Sequence, residues 1–441
     1  MLETVRDYAL ERLDVTGEAE ATRAAHVAYF VALAERAEPL LYGGAGAAWL
    51  TRLETDLDNI RALLAWSTSR ADASARETGL RLAVALGDFW HLRSYFAEGR
   101  GWLDRLLAAA GPDVSPAIRG KALAAAAHLA WAQGDGEVAA ALYGEGLTLG
   151  REHDDRFVVA SALQGLARVA WLRGDYAAMA RYAADSLAGA RELGNERRQG
   201  VALMLLSIAT LRQQRAEQAE PLLKEALALS RSCGFQRGIA WALQTLAECA
   251  EVTGRAREAA AYLHESLGVF LEAGDAWGLF ENLSRIAALA GRAGRPEDAA
   301  RLFGAAERLR SSLGVAPFAG LDAHRQTAEA LRARLDPQSF AGAVAAGEAL
   351  PPEVAAAEAM TLAQELATAA PPAAPTRPAG LSEREVEVLR FVARGLTNAQ
   401  TAERLFLSPR TVDAHLRRIY DKLGLATRAE VVRFAIEHDL A

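Results

Sequence analysis

The sequence predicts an all-α protein, a solenoid of helical hairpins followed by a compact four-helix module. Three observations predict it. Apolar residues make up 51% of the chain, with abundant Ala and Leu and few aromatics, a balance typical of all-helical proteins. A Gly-containing or polar punctuation recurs every forty residues through the middle of the chain. Near the C-terminus, four helix-start signals fall within about sixty residues.

Residues 1–115 read as a helical region. Leu2, Val5, Tyr8, Ala9 and Leu13 recur at helical spacing. A second helix is expected from about Glu18 to Glu38, with His26, Tyr29, Phe30 and Leu33 on one side. Trp49, Leu50, Leu53, Leu57, Ile60, Leu64 and Trp66 mark a third. Leu80, Leu82, Val84, Leu86, Phe89, Trp90, Phe96, Trp102, Leu103 and Leu106 continue the pattern until Gly111-Pro112 and Ser115-Pro116 break it. The run Met1–Leu13, then His26 with Tyr29-Phe30, Trp49-Leu50, Leu53-Glu54 and Asp58–Arg61, resembles a junction in large bacterial regulators. There it follows an ATPase of the STAND (NB-ARC) type and leads into helical repeats. A phosphate-binding loop needs Gly, four residues, then Gly-Lys-Ser/Thr. The one Gly-Lys pair, Gly120-Lys121, is followed by Ala122, with Ser115 where the first Gly belongs. The resemblance is therefore to the C-terminal part of such a regulator with its ATPase domain absent, either a shortened relative or a chain that starts further upstream.

Residues 116–335 carry the repeat. Gly134-Asp135, Gly174-Asp175, Gln214-Arg215, Gly254-Arg255 and Gly294-Arg295 lie forty residues apart, and Gly194, Gly234, Gly274 and Gly314 mark a second interval of the same length. Leu123, Leu163, Leu203, Leu243 and Leu283 hold one apolar register; Leu142, Tyr182, Leu222, Tyr262 and Leu302 hold another. Each unit is thus a helical hairpin that cannot bury both faces alone, so the units must stack. They resemble tetratricopeptide-like repeats lengthened to forty residues. Trp131, Gln164, Arg168, Trp171, Trp241 and Gln244 are the candidates for a concave binding surface, with packing between neighbouring hairpins as their simpler use. Residues 336–370 are expected to cap the solenoid. Residues 371–380, rich in Pro and Ala, form a semi-rigid linker.

The module at 381–441 reads most clearly. Ser382 with Glu385, Thr397 with Gln400, Ser408-Pro409, and Thr427 with Glu430 each open a helix, and Gly395 and Gly424 supply stops. Helices two and three lie close enough for a helix-turn-helix. In the third, Val412, Leu416, Ile419 and Leu423 share one face; Arg410, Ala414, Arg417 and Asp421 project opposite, flanked by Asp413 and Arg418. Arginines can read guanine edges bidentately, and a small residue lets the backbone approach. The module holds ten Lys/Arg against nine Asp/Glu, but residues 404–422 hold five against two, which concentrates positive charge on that helix.

Leu381-Ser382, Arg384-Glu385, Glu387–Leu389, Gly395–Asn398, Ala402–Val412, His415, Ile419 and Lys422-Leu423 closely resemble the LuxR-type (GerE-like) DNA-binding domain. The resemblance implies base contact by Asp413, Ala414 and Arg417, with Arg418 beside them. It implies phosphate contact by Thr397, Asn398, Arg410, Thr411, Lys422 and Arg428. Asp413 stands where the family often has Lys, and Thr401 replaces a usually aliphatic residue. An acid can accept from cytosine N4 but repels phosphate, so the operator should differ from those of Lys-bearing relatives.

The net charge of −7 is carried upstream of this module, so the acidic body is unsuited to nucleic acid over its whole surface. Cys233 and Cys249 read as buried small residues in a reducing cytoplasm rather than as a disulfide framework. No apolar run is long enough to span a bilayer. The histidines show no metal-ligand spacing and no catalytic constellation appears, so neither a cofactor nor an enzymatic activity is expected. The expected function is a bacterial transcription regulator that binds promoter DNA as a homodimer, with its repeats sensing a protein or small-molecule effector. The competing reading is an interaction scaffold whose last module contacts protein.

Overall fold

The computed structural model describes residues 12, 15, 19–70, 72–313, 321–369, 380–405 and 407–438. Met1–Leu13 apart from Arg12, residues 371–379 of the linker, Gly314 and Phe406 lie outside these. Among the described residues there are 23 α-helices and one short 3-10 turn, with no strand. The chain divides after Thr368 into two compact units.

The first unit begins with α1 (Ala19–Ala37), a 3-10 turn (Glu38–Leu40), α2 (Gly46–Thr55), α3 (Leu57–Ser69), α4 (Ala73–Ala85), α5 (Gly87–Leu92) and α6 (Phe96–Ala109). On α1 the buried face is Val27, Phe30, Val31, Leu33, Ala34 and Ala37. His26 and Tyr29, expected on that face, are exposed. The segment around Trp49–Trp66 is two helices rather than one, parted at Asp56. Leu53, Ile60, Leu64, Leu80, Phe89, Trp90, Leu103 and Leu106 form its fully enclosed core.

Five hairpins follow on a strict period. Their first helices are α7 (Pro116–Ala132), α9 (Arg156–Leu172), α11 (Glu196–Arg212), α13 (Gln236–Val252) and α15 (Ala276–Arg292). Their second helices are α8 (Gly136–Glu152), α10 (Tyr176–Glu192), α12 (Ala216–Ser232), α14 (Ala256–Ala273) and α16 (Pro296–Leu313). The turns explain the period. Gly134, Gly174, Gly254 and Gly294 all sit at φ between 70° and 84°, where L side chains are strained, and Gln214 adopts φ 62° in the same slot. The side chains of Asp135, Asp155, Asp175, Asn195 and Asp275 then cap the next helix by accepting its third backbone N–H. Each such cap stabilises by about 1 kcal/mol.

The leucines at 123, 163, 203, 243 and 283 are all buried. On the second helices of the first four hairpins the deepest positions are one residue beyond the expected register: Tyr143, Ala183, Leu223 and Leu263 are buried, whereas Leu142, Tyr182, Leu222 and Tyr262 are half-buried; in the fifth, the expected Leu302 is buried along with Phe303. Burying a leucine or phenylalanine fully is worth about 1.5–3 kcal/mol, so these rows hold the stack together. Cys249 is buried, but Cys233 is exposed, because it occupies the C-cap position of α12, where the chain turns outward.

The repeat ends with α17 (Leu321–Arg332), α18 (Pro337–Glu348) and α19 (Pro352–Thr368). α17 packs on α15, α18 on α16, and α19 on α14. Ala355, Ala356, Ala359, Leu362 and Ala363 of α19 join the same core as Leu263, Phe270 and Leu283. No helix among the described residues is long and apolar enough to cross a membrane.

Candidate nucleic-acid interface

The second unit holds α20 (Glu383–Ala393), α21 (Asn398–Arg404), α22 (Pro409–Leu423) and α23 (Arg428–Glu437). Local sequence sets their ends. The Ser382 hydroxyl accepts from Glu385 N while the Glu385 carboxylate accepts from Ser382 N at 2.7 Å. Thr397 and Gln400 make the same reciprocal pair at the start of α21. Ser408 caps α22 by accepting from Thr411 N, and Glu430 accepts from Ala426 N and Thr427 N at α23. Gly395 and Gly424 take φ 83° and 64°, which ends α20 and α22 without steric cost.

Val412, Leu416 and Ile419 of α22 are buried with Leu381, Val388, Leu389, Val392, Ala402, Val431 and Ala435. That core fixes which way α22 faces. Arg410, Asp413, Ala414, Arg417, Arg418 and Asp421 are exposed on its other side. Arg410, Arg417 and Arg418 make no ion pair or hydrogen bond among the described residues. An exposed helix with three free guanidinium groups around one alanine is a surface for an anionic, groove-shaped partner.

The remaining candidates divide. Thr397 is exposed and caps α21, and Thr411 is half-buried with its hydroxyl 2.7 Å from that of Ser408. Lys422 is engaged within the module: its ammonium lies 2.6 Å from Glu385 Oε2 and 3.2 Å from Gly380 O. Burial alone would raise the Glu385 pKa, but Lys422 and the Ser382 N–H outweigh it and hold the carboxyl down at about 2. Arg428 donates to Asn398 Oδ1 at 2.8 Å and to the Leu396 carbonyl, and Asn398 Nδ2 donates to Asp413 Oδ1 at 2.5 Å. Sequence spacing pointed to neither connection. Asn398 and Asp413 are fifteen residues apart, and only the folded packing of α21 against α22 joins them.

The first unit, taken by itself, holds an open cavity of about 1810 Å³ on the side of the repeats' first helices, with residues of the 41–51 and 91–96 segments at its edge. Trp131, Arg168, Trp171, Trp241 and Gln244 line it; Gln164 instead lies buried and accepts from Arg198. Its walls carry ion pairs between Arg237 and Asp275 and between Arg285 and Glu248, at 3.1 and 2.6 Å. No group of three or more potential metal ligands occurs among the described residues.

Residues 379–435 match the family described as bacterial regulatory proteins, luxR family. A Mycobacterium bovis protein named as an HTH-type transcriptional regulator is 40% identical over 134 residues, which is 30% of this chain and 14% of that protein. The Fimbriae Z protein of Salmonella typhimurium is 47% identical over 60 residues, 14% of this chain and 29% of its own. The chain therefore spans about a seventh of the first relative's length and less than a third of the second's. Among solved structures, a STAND protein with a tetratricopeptide repeat sensor from Pyrococcus horikoshii is similar to 71% of this chain and 47% of its own, at 13% identity and a TM-score of 0.45. Residues 379–435 are a LuxR-type helix-turn-helix domain, on the family match and the capped four-helix geometry together.

Proposed function

We propose that the chain is a sequence-specific regulator of bacterial transcription, which reads promoter DNA in the cytoplasm with its LuxR-type domain. One observation carries this reading. α22 is anchored by Val412, Leu416 and Ile419, while Arg410, Arg417 and Arg418 stand free on its outer face around Ala414. In the major groove Arg417 reads a guanine edge, and Ala414 lets the helix approach. Arg410, beside the capped start of α22, and Thr397 and Thr411 at the helix starts meet phosphates. The exposed acidic Asp421 lies at the far end of the face and takes no part.

One domain offers few base contacts. Two copies on paired half-sites raise the effective concentration of the second contact, so the working unit on DNA is a homodimer. The cavity of the repeat body is the place for an effector, a small molecule or a segment of a partner protein. The protein acts by binding and not by catalysis.

The test is binding of the full chain to promoter duplexes, with Arg410→Ala and Arg417→Ala alongside. Arg417→Ala is expected to weaken binding by about 1–3 kcal/mol and to relax preference at one base pair. Arg410→Ala should weaken binding to all sequences alike. Unchanged binding in both variants would show that α22 does not face DNA.

A further inference from the structure

The charged groups of the DNA-facing domain do not all point outward. Two of them, joined through a neutral asparagine, form a chain that crosses three helices. Arg428, first residue of α23, donates to the Asn398 side-chain carbonyl at 2.8 Å and to the Leu396 carbonyl. Asn398, first residue of α21, donates its amide N–H to Asp413 Oδ1 at 2.5 Å. The polarity of this chain has one solution. A guanidinium can only donate and a carboxylate can only accept, so the Asn398 amide cannot rotate by half a turn without breaking both bonds. Asp413 is exposed, and its other oxygen makes no hydrogen bond or ion pair among the described residues.

We infer that Asn398 and Arg428 are positioning residues that clamp Asp413, and that the clamped carboxylate selects an amino-bearing base, cytosine through N4, in each half-site. This rests on the DNA-binding reading above. A free aspartate on an exposed helix samples several rotamers and is pushed from the groove by phosphate repulsion. One oxygen held by Asn398 leaves the other at a fixed place, next to Ala414 and one turn before Arg417. A fixed acceptor rewards a base-edge donor and penalises a carbonyl edge, where two acceptors would meet. A lysine at this position could not take part, because it would compete with Arg428 for the Asn398 carbonyl. The acid at 413 and the Asn398–Arg428 pair therefore form one device. Asn398 and Arg428 act on base choice, and neither is a phosphate contact.

The experiment selects duplexes from a pool with a random 20-base-pair core, using the full chain and the variants Asp413→Ala, Asn398→Asp and Arg428→Ala. Asn398→Asp keeps the acceptor that Arg428 needs, so the three helices stay tied, but it removes the donor to Asp413. The unaltered chain should prefer cytosine at one position of each half-site by about tenfold or more, and all three variants should reduce that preference to near unity. Asp413→Ala should at the same time bind the pool more tightly, since a negative charge leaves the groove. The slope of affinity against salt should be unaltered by Arg428→Ala. Should Arg428→Ala lower that slope by about one while leaving base choice intact, it is a phosphate contact and the clamp is refuted. A preference unmoved by Asp413→Ala refutes it equally. If the unaltered chain enriches no sequence at all, the regulator reading itself falls, a result distinct from either.

Discussion

Thr401 and Asp413 are the two residues of the LuxR-type domain that depart from the family pattern, and the structure gives them opposite characters. Asp413 is exposed and held by Asn398. Thr401 is fully buried, and its hydroxyl has no hydrogen-bond partner among the described residues. A buried hydroxyl without a partner forfeits its water bonds and gains nothing in return. Thr401→Val keeps the shape and removes the polar atom, so it should stabilise the domain by about 1 kcal/mol. Slower amide exchange in the α20–α22 peptides of the full chain would register the gain; faster exchange would mean the hydroxyl has a partner in solution. At this scale the sequence was legible wherever partners lie three or four residues apart. Ser382 with Glu385 and Thr397 with Gln400 are such pairs, because the helix itself brings them together. The Asn398–Asp413 and Lys422–Glu385 contacts were not legible, since their geometry belongs to packing between helices.

Whole elements followed the sequence where a repeat enforced them. The forty-residue hairpins are readable because each turn must reuse one backbone conformation. Even the non-Gly slots keep it, with Asp154 at φ 51° and Gln214 at φ 62°. The face of α1 was misread for a physical reason. His26 and Tyr29 are amphipathic and share a broad stripe with Phe30, and only the neighbours that pack there decide which edge is covered. The crossing of α16 and α18 was likewise beyond periodicity. It depends on Gly304 and Gly347, where an added Cβ would lie 2.1 Å from Val344 O and 1.8 Å from Arg301 O. Backbone cannot yield as a flexible side chain can, so Gly347→Ala should force the helices apart and cost about 1–3 kcal/mol or more. Thermal unfolding followed by tryptophan fluorescence tests this, because all eight tryptophans lie in the first unit. An unchanged midpoint would mean that α18 does not dock on α16 in solution.

Across the first unit as a whole, burial holds a pair of histidines in a state that water would not. The rings of His91 and His128 lie 4.5 Å apart, tilted by 35°, and His128 stacks on Trp131. Burial pushes both pKa values well below the ordinary 6.5, and the positive charges of Arg237 and Arg168 push the same way. Both imidazoles are therefore neutral when folded, whereas the unfolded chain binds a proton on each near pH 6.5. A depressed folded pKa gives stability that is complete above the unfolded value and is lost as pH falls below it. Folding stability should therefore fall as the pH drops from 7.5 to 5.5, mostly below pH 6.5, where the limiting slope is about 1.4 kcal/mol per pH unit for each group. His324, lowered mainly by burial although Glu307 opposes the shift, adds to the same slope. The urea midpoint of tryptophan fluorescence should fall over this range, and the double variant His91→Gln, His128→Gln should flatten most of the fall. An equal fall in the double variant would place the proton uptake elsewhere and detach the aromatic stack from the pH response of the body.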